Sequence, residues 1–516
     1  MTGRIVLQST TKTVDRMAAL VLQIAALSLV SLMLIKAIFD VDTHFDSWWY
    51  HLPWAARLAG LVGPDTFLFE PLAAVRFEGF PVLPELLQGW LWRLTGRVES
   101  ANLVSFASLA AFIVFLRHYF GVAWWLSIPA LLAVPLVQAQ ATSTYVDLFA
   151  NLALAAFVML TFLMYTRKEI INGKYLALLA MTAFIAANSK LQLIPLVALT
   201  LIFSAYPVVK WVKEQPHRLG RSVRLGICVV TLLVALSAIF FIPLKNIALH
   251  GNPAYPLKVQ FFGTVLNYAE DPAPPSAVKL DSLADRARAT RWLYSIFELG
   301  EGPLFNVQRW SLEGASPPGS PMTRQGGLFG IYVAFQLLLF LWLLSRVDAR
   351  QRKTAAILVG ISMLAAALMP ASNLLRYYMF WFVCVISLNL HFLASYGSTQ
   401  GRWLCGAVFF TFVLAVIDIT DQNFVRPRFH SIQDLLAERV DPRILRELVP
   451  NSSTCLALSK ANEPFLYASL WHGATTYRVK AGAGFPNDKA EVEKSCEGWR
   501  VITSPSRKII GVGAAD

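Results

Sequence analysis

Charge is what this sequence has least of. Only 15% of its 516 residues are Asp, Glu, Lys or Arg, where a water-soluble globular domain carries about 25%. That deficit excludes an ordinary soluble enzyme. Nucleotide-binding punctuation is missing as well: there is no GxGxxG and no P-loop, so a nucleotide has neither of its usual cradles. Cysteine is sparse, at five residues, with no CxxC and no His-rich spacing, which argues against zinc modules and dithiol redox sites. No low-complexity tract or short-period repeat occurs, which speaks against a solenoid. Two inverted halves, common in transporters, are not visible either.

Apolar sequence fills the space. Hydrophobic residues make up 56%, mean hydropathy is +0.52, and 34 Phe and 15 Trp can furnish belts at the two membrane surfaces. A span needs about 20 apolar residues. Runs centred near residues 28, 109, 130, 155, 181, 199, 233, 335, 362, 385 and 410 predict about eleven spans in a mainly α, polytopic fold.

The net charge of +13 sits mostly in short loops between these runs. Arg4, Lys12 and Arg16 precede the first. Arg117 and His118 follow the second, Arg167, Lys168 and Lys174 the fourth, and Lys210, Lys213, Arg218, Arg221 and Arg224 the sixth. Arg346, Arg350, Arg352 and Lys353 follow the eighth. All lie on one side, which the positive-inside rule makes cytoplasmic. These charges set topology and touch anionic lipid, so nucleic acid is not an expected partner. The basic leader has no small-residue cleavage site after its apolar run and reads as a retained signal anchor, with the N-terminus cytoplasmic.

The opposite face receives the long loops, about 40–100 and 245–325, and a polar tail. The chain therefore divides into a membrane module, 1–423, and a small outer-face α/β domain, 424–516. In the tail, SIQDLLAERVDPRILRELV reads as helical, and CLALS, FLYASLW, YRVKAG, WRVITS and KIIGVG read as short strands. Cys455 and Cys496 lie in this tail, where an oxidising compartment favours their pairing. Cys228, Cys384 and Cys405 fall in apolar runs and read as inert.

The candidate chemistry starts in FDVDTHFDSWWYHLPWAARL, 39–58. A lone Asp at a span end is most simply a solvated boundary residue. Here Asp40, Asp42 and Asp46 fall within seven residues, beside His44, Tyr50 and His51. Carboxylates at this boundary suit a general base or a divalent cation. Asp46, which opens the aromatic segment, leads; Asp42 is second; Asp40 reads as a boundary residue. Asp147 in TYVDLFAN opens the fourth run and is either a helix-dipole charge or functional. Lys190, Lys245 and Arg376 are outer-face cations near span ends. Each alone is a structural candidate; together they suit a phosphate or diphosphate. GNPAYP, 251–256, reads as a turn. RQGGLFG, 324–330, with Arg324, and Arg309, Trp310 and Glu313 before it, is a weaker ligand-approach candidate.

DSWWYHLP at 46–53, YVDL at 145–148, SKLQLIP at 189–195, KN with GNPAYP at 245–256 and LLRYY at 374–378 together resemble the GT-C superfamily of integral-membrane glycosyltransferases. The similarity is to the bacterial branch related to dolichyl-phosphate-mannose-type and aminoarabinose-type transferases, over most of residues 15–395. The resemblance implies transfer of a sugar from a polyprenyl-phosphate donor to a lipid, polysaccharide or protein acceptor, on the periplasmic face of a bacterial inner membrane. It implies that Asp46 is the acid of the first outer loop, with Asp42 behind it, and that Asp147 is the second acidic position. The chain departs from the family in lacking a clean Asp-Glu or Glu-Asp pair, which leaves the base and any metal open. A glycan polymerase or ligase using Arg309 and Arg324, a lipid-linked glycan flippase and a non-catalytic assembly subunit are the alternatives.

Overall fold

The computed structural model describes residues 2–214, 221–261, 263–270, 286–297, 328–420, 424–458, 460, 462–473, 477–482, 492 and 494–503. Arg309, Trp310, Glu313 and Arg324 lie outside these residues, as does the KIIGVG run.

In lipid only a helix satisfies its backbone within one segment, and the apolar runs are helical throughout. Helix α1 (Thr2–Phe39) leads into three short helices of the first loop, α2 (Leu52–Leu58), α3 (Pro71–Gly79) and α4 (Leu83–Thr95). Each has a proline in its first turn, where a missing N–H costs nothing. The bundle continues through α5 (Leu103–Phe120), α6 (Trp124–Leu132), α7 (Pro135–Gln140), α8 (Asp147–Thr166), α9 (Gly173–Ala187), α10 (Ile194–Glu214), α11 (Arg221–Ile239) and α12 (Phe241–His250). After α13 (Arg288–Phe297) come α14 (Leu328–Leu344), α15 (Ala349–Leu368), α16 (Phe380–Tyr396) and α17 (Thr399–Ile419), and then α18 (Ile432–Arg439) and α19 (Pro442–Glu447).

Every apolar centre read from the sequence falls in or beside a helix, while length and composition single out fewer than the expected eleven or so as spans. Among the described residues six helices are long and apolar enough to cross a membrane, or seven if α11 and α12, bent by 71°, count as one. Helices α9, α14 and α16, at 15, 17 and 17 residues, fall short of the length rule. The run near 130 is cut by Pro135 into α6 and α7. Even so, Gly121 follows the C-terminal end of α5, while Ser105 near its start donates to the Tyr145 carbonyl at 3.0 Å. Residues 121–145 therefore retrace the length of α5. The chain is an integral membrane protein.

One face of the bundle collects the helix ends that matter. Asp40, at the end of α1, accepts from Lys36 Nζ (2.7 Å) and from the backbone N–H groups of Arg428 (2.9 Å) and His430 (3.3 Å). The Asn102 amide before α5 donates to the Asp40 carbonyl at 2.8 Å. The starts of α8 and α16 and the end of α9 meet there too. The basic loops that follow α5, α8, α10 and α14 leave from the opposite helix ends.

The tail folds as a sheet, but not from the tail alone. Strands β4 (Ser453–Ala457), β5 (Arg478–Ala481) and β6 (Arg500–Thr503) pair in parallel, and the first loop supplies an edge strand, β1 (Phe67–Leu68), giving the order β1-β5-β4-β6. The hairpin β2 (Gln260–Phe261) and β3 (Thr264–Val265) stands apart. The FLYASLW run, expected as a strand, forms two tight helical turns, Pro464–Tyr467 and Ser469–Trp471. The reason is packing: Trp471 stacks on Trp92 of α4 at 5.3 Å and meets Trp48 at 5.9 Å. The run is a plug between the sheet and the first loop.

Cys455 on β4 is bonded to Cys496, 41 residues on. Closing a loop of that size restricts the unfolded chain by about 4 kcal/mol in the chain-entropy treatment. Cys455→Ser is therefore expected to destabilise the sheet by roughly 2–4 kcal/mol. Limited proteolysis should show the tail cut first while the helical bundle persists; equal resistance in the variant would contradict this.

Candidate active site

The first loop is held in place before any reactive group is considered. A helical turn starts at Phe45, widens to a π-helical turn over Ser47–His51 and runs into α2. Such widened turns are common at functional sites, and this one points successive aromatic side chains around the axis. Trp48 is buried and donates its indole N–H to the Asp42 carbonyl at 2.5 Å. Helix α4 lies close on α2 because Gly89 has no side chain; a Cβ there would overlap the Ala55 carbonyl. Gly79 does the same at the end of α3, under the Tyr255 carbonyl.

The three acids of the loop separate sharply. Asp40 is a staple between α1 and the segment before α18, as described above. Asp42 accepts from Ser47 Oγ (2.7 Å), Thr144 N (2.7 Å), Thr144 Oγ1 (3.0 Å), His44 N (3.0 Å) and His44 Nδ1 (2.5 Å). Both its oxygens are filled by protein donors, so it ties the loop to the approach to α8. Its expected place as a reserve catalytic acid gives way to that structural task. Burial raises its pKa, but the His44 charge and these hydrogen bonds outweigh burial and hold the carboxyl below the ordinary range.

A depressed carboxyl contributes stability above its unfolded pKa, about 3.9. That contribution declines as pH falls below the unfolded value and is gone once pH has passed through the lower native one. Asp42→Asn is therefore expected to cost about 2–3 kcal/mol at pH 7, with a smaller difference from the wild type at pH 3. Melting curves in detergent at both pH values check this, and an unchanged melting temperature at pH 7 would contradict it.

Asp46 has different company. Its Oδ2 accepts from Arg376 Nη1 at 2.8 Å and from the Tyr50 hydroxyl at 3.2 Å. The residue is buried. Burial pushes its pKa up, yet the charges of Arg376 and His51 and the two hydrogen bonds prevail and keep the carboxyl below its ordinary value. Burial and the Asp46 charge push the Tyr50 phenol well above its ordinary value, so it stays a donor. Lys190, just beyond the end of α9, forms an ion pair with Asp147, the first residue of α8. Burial first, and then the Arg376 charge, pull the Lys190 ammonium well below its ordinary value, against Asp46 and Glu85. The Asp147 carboxylate in contact with it favours the charged form.

Two tyrosines bind the pairs into one cluster. The Arg376 guanidinium lies over the Tyr145 ring at 5.1 Å and the Tyr377 ring at 5.3 Å, and Lys190 Nζ lies over Tyr377 at 4.0 Å. Asn151, one turn into α8, donates to the Arg376 carbonyl at 3.1 Å and accepts from Phe380 N at 2.9 Å. It fixes the turn that carries Arg376. His51 is buried against Glu85 of α4, Nδ1 to Oε1 at 2.7 Å, and its Nε2 has no hydrogen-bond partner among the described residues.

The structure thus brings together Asp46, Tyr50, His51, Asp147, Lys190 and Arg376. Lys245 is not held by them: its ammonium donates to the Glu78 carbonyl at the end of α3, while Asn246 bonds the Gly79 and Tyr255 carbonyls at 2.8 and 3.1 Å. Lys245 therefore fastens α12 to α3, a correction to its expected place beside the other two cations. Arg76 of α3 lies closer to the aromatic turn, over the Trp49 ring at 5.4 Å and bidentate to Glu270 at 2.9 and 2.5 Å.

Glu85, Asn151, Tyr145, Tyr377 and Arg76 were not singled out from the sequence. Two had a signal, since Glu85 interrupts an apolar helix and Asn151 follows Asp147 by one helical turn. Among the described residues no group of three or more His, Cys, Asp or Glu could hold a metal ion. Asp40, Asp42 and Asp46 each take separate protein donors.

No family model and no curated protein matches the sequence. Solved structures similar to the chain include that of ArnT from Cupriavidus metallidurans in the apo state. It has 14% identity and a TM-score of 0.35, covering 93% of this chain and 88% of that one. The same protein bound to undecaprenyl phosphate gives 14% identity and a TM-score of 0.37, covering 94% and 93%.

Proposed function

We propose that this chain is a GT-C-type membrane glycosyltransferase that moves a sugar from a polyprenyl-phosphate donor to an acceptor at the periplasmic face of a bacterial inner membrane. The N-terminus is cytoplasmic and the tail sheet periplasmic. The observation that carries the proposal is the paired arrangement of Asp46 with Arg376 and Asp147 with Lys190 at one end of the helical bundle. Two acids and two cations at a membrane surface, inside an aromatic cradle, match the needs of glycosyl transfer from a lipid phosphate. The order of the five sequence motifs adds to it.

In the proposed step Asp46 takes the proton of the acceptor hydroxyl as its oxygen bonds to the anomeric carbon. The bond from that carbon to the phosphate oxygen breaks, and its electron pair leaves with the polyprenyl phosphate. Attack opposite the leaving group inverts the anomeric centre. Lys190 and Arg376 hold the phosphate and stabilise the charge it gains. A donor phosphate that engages Arg376 weakens the hold of that guanidinium on Asp46. The base then becomes stronger when the donor is bound. Asp147 positions Lys190.

A flippase would place ionisable groups near the middle of its spans; here the paired charges sit at helix ends. The test is a transfer assay with the full-length protein in nanodiscs. It uses a panel of radiolabelled polyprenyl-phosphate hexoses and pentoses, with a bacterial envelope extract as acceptor. Protein-dependent transfer and release of polyprenyl phosphate from at least one donor is expected. No product and no released lipid phosphate from any of them would overturn the proposal.

A further inference from the structure

A second polar chamber lies on the other side of the first loop. It has a volume of about 430 Å³ and is bounded by the end of α1, residues 41–44, Ala139 and Thr142 near α7, and the segment from Phe424 to Arg439. That size suits a small ligand or headgroup. His44 forms part of its wall and packs edge-on against Tyr145 at 5.2 Å, and Arg376 lies over the same ring. The chamber therefore adjoins the Asp46 site without containing Asp46, Lys190 or Arg376.

The formal charges on the chamber wall balance, with Lys36, Arg428 and Arg439 against Asp40, Asp42 and Glu438, but their pairing is uneven. Each carboxylate on its wall already has a partner: Asp40 takes Lys36, Asp42 takes His44, and Glu438 takes His430 at 3.2 Å. The two guanidiniums on the wall have none among the described residues. Arg439 donates only to the Thr43 carbonyl, at 3.3 Å. The side chain of Arg428 has no ion pair among the described residues, and it is the Arg428 backbone N–H that Asp40 accepts. Two guanidiniums with no ion pair among the described residues, at a polar opening, can receive an anion, and their forked donors match phosphate oxygens.

Position supplies the rest. Lys36 and Asp40 mark the end of a 25-residue span, so the chamber is level with the membrane surface. Beside it Phe39 and Phe429 pack ring to ring at 5.8 Å while both stay exposed, at 39% and 63%. Exposed aromatic rings beside a polar pocket at that depth face lipid.

We propose that this chamber is a second binding site, separate from the reaction centre, for a phosphate group carried on a membrane lipid. Arg428 and Arg439 grip the phosphate, and Phe39 and Phe429 flank the start of the acyl chains. The proposal does not depend on the glycosyl-transfer reading.

The test is binding to the full-length protein in neutral detergent, with three probes: dihexanoyl phosphatidate, inorganic phosphate and dihexanoyl phosphatidylcholine. Phosphatidate is expected to bind at least tenfold tighter than either of the others. Arg428→Gln and Arg439→Gln should each weaken it about tenfold, and Arg428→Lys should recover part of the loss. Among the described residues only the backbone of Arg428 makes a hydrogen bond, so its variants keep the test open if Arg439→Gln misfolds. Equal binding of inorganic phosphate would replace the lipid source with a free anion. Equal binding of phosphatidylcholine overturns the anion receptor. Phosphatidate binding that survives both Gln variants but is lost in Arg376→Gln overturns the second site.

Discussion

Asp46→Asn is expected to lower sugar transfer by about 10³-fold, with donor binding changed less than threefold. General-base removal by a positioned carboxylate contributes about 10²–10⁴, and a buried base next to its reacting atom belongs in the upper half of that range. Asn keeps the shape of Asp and can still accept from Arg376 Nη1 and the Tyr50 hydroxyl, now at 2.8 and 3.2 Å. The loss should therefore appear in the turnover rate and not in folding. Initial rates across a donor titration separate the two. Transfer within threefold of the wild type would remove Asp46 from the role of base.

The second large effect falls on Arg376. Arg376→Ala deletes the cation proposed to hold the donor phosphate and, at the same time, the main charge that keeps the Asp46 carboxyl low. Losing one stabilising donor of this kind costs about 10²–10³ in rate. Leaving a buried carboxylate without its partner costs about 3 kcal/mol of stability, so thermal melting should fall as well. The pH profile adds a signature that simple loss of folding does not produce. In the wild type the Asp46 carboxyl lies below its ordinary value because Arg376 and His51 outweigh burial. Without the guanidinium, burial dominates and the native pKa rises. The base is then protonated at a higher pH. The acid limb of the residual activity should accordingly move upward in Arg376→Ala relative to the wild type. Arg376→Lys should restore the limb in part, since a point charge remains while the fork is lost. An acid limb at the same pH in all three proteins would contradict the coupling.

The parts of this arrangement legible in the sequence are those set by short-range rules. Apolar runs marked the helices because a membrane admits little else, and an acid or cation at the end of such a run is conspicuous. Asp46, Asp147, Lys190 and Arg376 were found that way. What could not be read were contacts made across the bundle. Asp42 and Asp46 look alike in the sequence; Thr144, a hundred residues away, claims one, and Arg376, far beyond it, claims the other. Lys245 shares the composition of its surroundings with Lys190, yet a carbonyl at the end of α3 holds it.

The tail shows the same limit. CLALS, YRVKAG and WRVITS announced strands through local pattern and became β4, β5 and β6. The two-residue β1 in the first loop carries too little pattern to announce anything, although it completes the sheet. FLYASLW has the composition of a strand, and only Trp92 and Trp48, brought near from the first loop, make it a plug. Span number is harder to read for a related reason: proline at 135 and short apolar helices obey packing against their neighbours as much as the length of a bilayer.

The central claim is that one phosphate site is shared by Lys190 and Arg376 with Asp46 at its edge. The most direct measurement is a cryo-electron microscopy structure of the full-length protein in nanodiscs with undecaprenyl phosphate added. The phosphate is expected within about 3 Å of Lys190 Nζ and an Arg376 guanidinium nitrogen, with Asp46 facing the open side. A phosphate that settles elsewhere, with the Asp46–Arg376 and Asp147–Lys190 pairs undisturbed, would contradict the proposed reaction centre.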